Sequence, residues 1–155
     1  MIDEDKKGMA GREALALFAD GHNCAQAVFA AFAPRLGLDR DAAVRLATGF
    51  GVGQSMGETC GAVSGAVMAL GLAYGGGGPD KSPEKKATYA LAGRFFEAFR
   101  AAHGSVRCRE LIGCDPSTPE GHAVAVRDNL FVSVCAPLVV AAAAIVEAML
   151  ADPTR

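Results

Sequence analysis

The sequence predicts an all-α fold, a single-domain bundle of about six to eight helices. Three observations lead there. Alanine recurs throughout while alternating β-branched runs are scarce. Apolar residues repeat at the three- and four-residue spacing of a helix face. Each periodic stretch stops at a glycine or a proline, or starts behind a good N-cap. One domain spanning residues 1–155 buries about two-thirds of its chain's surface on folding. The 51% of hydrophobic residues supplies its core. Residues 1–11, charged and without an apolar stretch, read as a flexible N-terminus.

The elements follow in order. Arg12–Asp20 places Leu15, Phe18 and Ala19 on one helix face, with Gly21 as its stop. Asn23–Leu36 sets Cys24, Val28, Ala31 and Phe32 at i, i+4, i+7 and i+8, and Pro34 and Gly37 end it. Asp39 caps the next helix, which Gly49 closes. Gly49–Gly57, GFGVGQSMG, is a glycine-rich loop. Glu58 or Thr59 starts a long apolar helix through Leu72. Two glycine pairs at four-residue spacing, Gly61/Gly65 and Gly71/Gly75, suit close helix packing. After a turn at Asp80–Pro83, Glu84–His103 is amphipathic, with Tyr89, Phe95, Phe96 and Phe99 turned to the core. Arg107–Ile112 is a short helix ended by Gly113. Ser117 to Glu120 reads as a capping box with Pro119 in the first turn, and the last helix covers about Ser133 to Leu150.

Composition excludes several classes. Fifteen Lys+Arg against 17 Asp+Glu give a net charge of -2, and there is no Trp. That is no footprint for nucleic acid. The N-terminus has no apolar signal region. Thr59–Pro79 is interrupted by seven glycines past Cys60. Phe131–Val146 falls short of the ~18–20 apolar residues of a span, and Glu147 stops it. The expectation is a cytoplasmic protein without membrane insertion.

Five cysteines remain to be explained: Cys24, Cys60, Cys108, Cys114 and Cys135. An odd count in a reducing compartment does not suit a structural disulfide framework. Buried inert thiols, a redox pair or metal ligands are the alternatives. No CxxC occurs, so neither a thioredoxin-like pair nor a zinc knuckle is present. On the predicted elements Cys24, Cys60, Cys108 and Cys135 fall at or near helix starts, whereas Cys114 follows a helix end. Free N–H groups and the positive end of the helix dipole favour a thiolate at a helix start. The four are therefore expected to have depressed pKa values. His22, two residues before Cys24, and Glu58, two before Cys60, are candidate proton donors or acid/base groups; a solvated helix-start residue is the plainer reading of each. His103 and His122 read as surface residues near helix ends.

Three segments, Asn23-Cys24-Ala25-Gln26-Ala27-Val28, Gly49-Phe50-Gly51-Val52-Gly53 and Cys60-Gly61-Ala62-Val63-Ser64-Gly65-Ala66, resemble the C_GCAxxG_C_C family of small redox-active proteins. Cys108 to Gly113, Ser117 to Gly121 and Cys135 are similar too. The likeness runs from about Ala14 to Glu147. The resemblance implies that the family's four characteristic cysteines are Cys24, Cys60, Cys108 and Cys135, with Cys114 the extra.

Three functional readings follow. The leading one has Cys24, Cys60, Cys108 and Cys135 converge on an iron–sulfur cluster or, alternatively, zinc. Gly51, Gly53, Gly57 and Gly61 would then bring backbone N–H groups to that cofactor. The second is a thiol–disulfide protein without a cofactor, in which a low-pKa thiol such as Cys60 attacks and another cysteine resolves the intermediate. The third is a helical module that binds a ligand or partner, its cysteines only packing. An electron-transfer or oxidoreductase role implies a redox partner, and a homo-oligomer is compatible with the sequence.

Overall fold

Every long stretch with helical periodicity folds as a helix in the computed structural model, which describes residues 8–79 and 82–152. Among these residues there are eight α-helices: α1 (Met9–Ala19), α2 (Cys24–Phe32), α3 (Arg40–Ala47), α4 (Gly61–Tyr74), α5 (Pro83–His103), α6 (Cys108–Ile112), α7 (Pro119–Arg127) and α8 (Ala136–Ala151). Short helical turns occupy Pro34–Leu36, Thr48–Phe50, Gly53–Gly57 and Phe131–Cys135. The predicted turn at Asp80–Pro83 lies partly outside the described residues, and so does most of the predicted flexible N-terminus. In the described part of that terminus α1 starts at Met9, with Ala10 and Gly11 buried.

The caps are side-chain oxygens that accept otherwise unpaired N–H groups. Asn23 and Gln26 form a reciprocal capping box on α2. Asp39 accepts from Ala42, and Ser82 from Lys85. At α7 the cap is Thr118, which accepts from the Gly121 N–H, rather than the predicted Ser117. The Ser117 hydroxyl is already committed to the Asp115 carboxylate.

α2 is the central helix, buried on most of its surface and in contact with α1, α3, α4 and α8. α4 crosses it, and both pack on α8, while α5 covers α4 and α8. Small residues set the spacing. A Cβ at Gly65 would lie 2.6 Å from the Ala25 carbonyl oxygen, and one at Gly61 3.0 Å from the Ala25 nitrogen. Gly71 does not follow suit: nothing lies within 4 Å of its Cβ position. The same economy shapes α1, whose inner face is Ala10, Gly11 and Ala14 rather than the predicted Leu15 and Ala19. Leu15 is exposed, and Gly11 sits against Val140. Of the aromatic residues predicted to face inward from α5, Phe95 and Phe99 are fully buried, whereas Tyr89 is exposed.

The last helical stretch is longer than expected. Phe131–Ala151 covers 21 residues and is long and apolar enough to cross a membrane by length and composition. In this fold its inner face, including Leu138, Val139, Ala142, Ala143 and Val146, is buried in the bundle core. Glu147 accepts from the Gly8 N–H at 3.0 Å and pairs with Arg35 at 3.2 Å.

Candidate thiol site

Two kinds of structure carry the cysteines. The first is the α2/α4 crossing. Cys24 is the first residue of α2, behind its Asn23 cap, and Cys60 is the N-cap residue of α4. The missing side chain of Gly61 lets them meet, since a Cβ there would lie 3.2 Å from the Cys24 Cβ. The Asn23 and Gln26 side chains do more than cap. Asn23 donates to the Thr48 carbonyl at 3.0 Å, and Gln26 to the Val44 carbonyl at 3.1 Å. They pin the start of α2 to α3 and its following turn.

The second structure is irregular. Thr59 and Arg107 form an isolated antiparallel bridge. Around it the Cys60 N–H donates to the Val106 carbonyl at 2.8 Å, and the Cys108 N–H donates to the Glu58 carbonyl. This clip holds the start of α6, and Cys108 on it, beside Cys60. The approach from Val52 is left-handed: Val52, Gly53, Gln54 and Ser55 all have φ between 54° and 59°. Such backbone costs an L-residue about 1–2 kcal/mol, and a β-branched residue such as Val52 is a genuine outlier there. At Gly53 a Cβ would lie 2.4 Å from the Glu58 nitrogen and 2.9 Å from the Cys108 Cβ.

Cys135 ends the Phe131–Cys135 turn and leads directly into α8. It was expected at a helix start, but the backbone is already helical at Leu130, so no free N–H group faces it.

These pieces enclose one cavity of about 100 Å³, lined by Cys24, Cys60, Cys108 and Cys135 but not by Cys114. The remaining wall is apolar, from side chains such as Phe18, Val52, Ile112 and Leu138, with Asn23 as its polar member. Of the four predicted cofactor glycines, Gly61 lines the cavity. Gly51 and Gly53 lie one contact behind, against Asn23 and Cys108, whereas Gly57 sits against the Asp115 carboxylate, which does not line the cavity. His22 Nδ1 pairs with the Leu17 carbonyl at 3.1 Å instead of a thiol. Glu58 is exposed and bound by Arg107 and Arg109 at 3.4 and 3.3 Å.

The electrostatics correct the expectation of four acidic thiols. Burial pushes the Cys60 thiol up to about 11, against the opposing pull of the Ala62 and Val63 N–H groups at the start of α4. Burial, then repulsion from Cys60 and Cys135, takes Cys108 to about 12. Cys24 is held well above its ordinary range, first by donating its proton to Cys135, then by burial. Cys135 alone is lowered, because that Cys24 hydrogen bond stabilises its thiolate. Desolvation therefore overrides the helix dipole at Cys60 and Cys108, and adds to the effect of Cys135 at Cys24. Within the pair the proton is held more firmly by Cys24 than by Cys135. Among the described residues, no three His, Cys, Asp or Glu side chains are gathered closely enough to hold a metal ion. A tetrahedral zinc site needs four sulfurs each about 2.3 Å from one point, and that is not formed.

The Asn23/Gln26 capping box has a local signal in its Asn-x-x-Gln spacing, whereas its contacts to α3, the wall at Val52 and the Thr59–Arg107 bridge have none.

Residues 22–149 match the family model described as "Putative redox-active protein (C_GCAxxG_C_C)". No curated protein and no solved structure matches the chain.

Proposed function

The chain belongs to the C_GCAxxG_C_C family, and we propose that it is a thiol–disulfide redox protein with Cys24 and Cys135 as its exchanging pair. One observation carries this reading: the two thiols line the same apolar cavity, and their interaction is the leading influence on both, raising Cys24 and lowering Cys135. A thiolate is the attacking species in disulfide exchange, and Cys135 is the thiol whose pKa is lowered. In the oxidising direction its sulfur attacks an incoming disulfide and expels one thiolate. Cys24 then gives up its proton and attacks the Cys135 sulfur, expelling the second. Two thiols have become the Cys24–Cys135 disulfide, one external disulfide has become two thiols, and two electrons and two protons have crossed. Cys60 and Cys108 remain neutral and keep the wall uncharged.

Equilibration in thiol/disulfide buffers of graded potential tests this. The wild type should show one two-electron transition that vanishes in both Cys24→Ser and Cys135→Ser. A transition that survives either substitution contradicts the assignment.

A second reading is favoured by one further observation, that all four thiols line the same cavity. Cys24, Cys60, Cys108 and Cys135 would then supply the thiolates of an iron–sulfur cluster, which contributes one-electron chemistry when bound. Two N–H groups, of Ala62 and Val63, reach the Cys60 sulfur and would offset the negative charge of such a group. Iron content and visible absorption after anaerobic purification separate the two readings.

A further inference from the structure

The exchanging pair sits back from the surface. Cys135 is only 9% exposed, and Cys24, half-buried, lines the same partly open cavity. A folded partner meets either sulfur only through that opening. A second feature lies on the other side of Cys135. A small cluster separate from the main core holds Cys135 with Ile112 and Ala125, and both Cys24 and Cys114 pack against it. Cys135 thus lies in one cluster with a thiol that faces the cavity and another that does not. Cys114 is half-buried, and it follows Gly113, whose φ of 82° turns the chain out of α6. The two elements involved, α6 and the Phe131–Cys135 turn, are in contact.

Resting on the thiol–disulfide reading, we propose that Cys114 is the outlet thiol through which the buried disulfide exchanges with a dithiol outside. Starting from the oxidised pair, the Cys114 thiolate attacks the Cys135 sulfur. The Cys24–Cys135 bond breaks, a Cys114–Cys135 bond forms, and Cys24 leaves as a thiolate that takes up the proton Cys114 released. No electrons are gained or lost in that step. A thiolate of the external dithiol then attacks the Cys114 sulfur and expels Cys135. Its second thiol closes on the mixed disulfide and expels Cys114. Two electrons and two protons have passed from the external dithiol to the Cys24–Cys135 pair, and the dithiol has become a disulfide.

Two measurements test the relay. In Cys24→Ser, mild oxidation should produce a Cys114–Cys135 crosslink, identified by mass mapping of unreduced peptides. In Cys114→Ser, the Cys24–Cys135 disulfide should still form with a small oxidant, yet its reduction by a protein dithiol, reduced thioredoxin as the probe, should slow by about tenfold or more. Reduction by a small phosphine, which needs no relay, should keep its wild-type rate. The unfolding midpoint of each variant reports whether it is folded, and Cys114→Ala gives the same readout if serine is not tolerated. No Cys114–Cys135 crosslink in Cys24→Ser, or an unchanged thioredoxin rate in Cys114→Ser, overturns the relay while the pair stands. Absence of a Cys24–Cys135 disulfide in the wild type overturns both.

Discussion

The α2/α4 crossing and the Val52–Thr59 segment present thiols to the same cavity by opposite means. At the crossing, Cys24 and Cys60 sit on two buried helices brought together by Gly61 and Gly65, and the backbone is regular. In the other region Cys108 is held by a single antiparallel bridge and by a left-handed run in which three of four residues are not glycine. The crossing derives its precision from core packing, so it stabilises the fold while it places the thiols. The left-handed segment stores strain that the rest of the molecule offsets, and such strain gathers at functional sites.

Substitutions that break one region and spare the other sharpen this contrast. The largest effect is expected at Gly53→Ala. An alanine there is strained at a φ of 59°, and its Cβ meets backbone at 2.4 Å. We expect a loss of about 2–4 kcal/mol by urea denaturation, together with faster alkylation of Cys108 as α6 is displaced. Gly65→Ala should cost less. Its Cβ meets the Ala25 carbonyl at 2.6 Å, but the helix-propensity gain offsets part of the overpacking, leaving about 1–2 kcal/mol. If Gly65→Ala is neutral, the crossing is not the rigid half.

Alkaline pH probes the buried thiols in both regions. Burial raises Cys60 from the ordinary thiol value of 9.0 to about 11. Below about pH 9 the folded and unfolded chains hold this proton equally. Between about 9 and 11 the unfolded state loses it first, so stability falls with rising pH by roughly 1 kcal/mol per pH unit. The urea midpoint of the reduced protein should drop across that range, and Cys60→Ser should flatten the drop. The smallest effect has the opposite sign: Gly71→Ala, with open space around it, should stabilise by about 0.5–1 kcal/mol. A destabilised Gly71→Ala would mean that this second glycine pair packs closely after all.

The same contrast marks what the sequence made legible. The helices, most of their caps and the Gly61/Gly65 crossing follow from periodicity and spacing, which are local signals. Cys24, Cys60, Cys108 and Cys135 line one cavity, with Cys114 outside its lining. The bridge between Thr59 and Arg107 joins segments far apart in the chain, and neither has strand-like alternation to announce it. The left-handed conformation at Val52 runs against the preference of a β-branched residue, so only tertiary context could reveal it. The thiol pKa values failed for a related reason. The helix start is readable from sequence, but the burial that outweighs it is a property of the assembled cavity.

The central claim is that Cys24 and Cys135 are chemical partners. Its most direct measurement is peptide mass mapping of anaerobically purified protein after mild oxidation and alkylation, without reduction. The account predicts a Cys24–Cys135 disulfide as the main crosslink, with Cys60 and Cys108 recovered as alkylated thiols. A crosslink between Cys60 and Cys108, or four cysteines protected by bound iron with no disulfide formed, would contradict it.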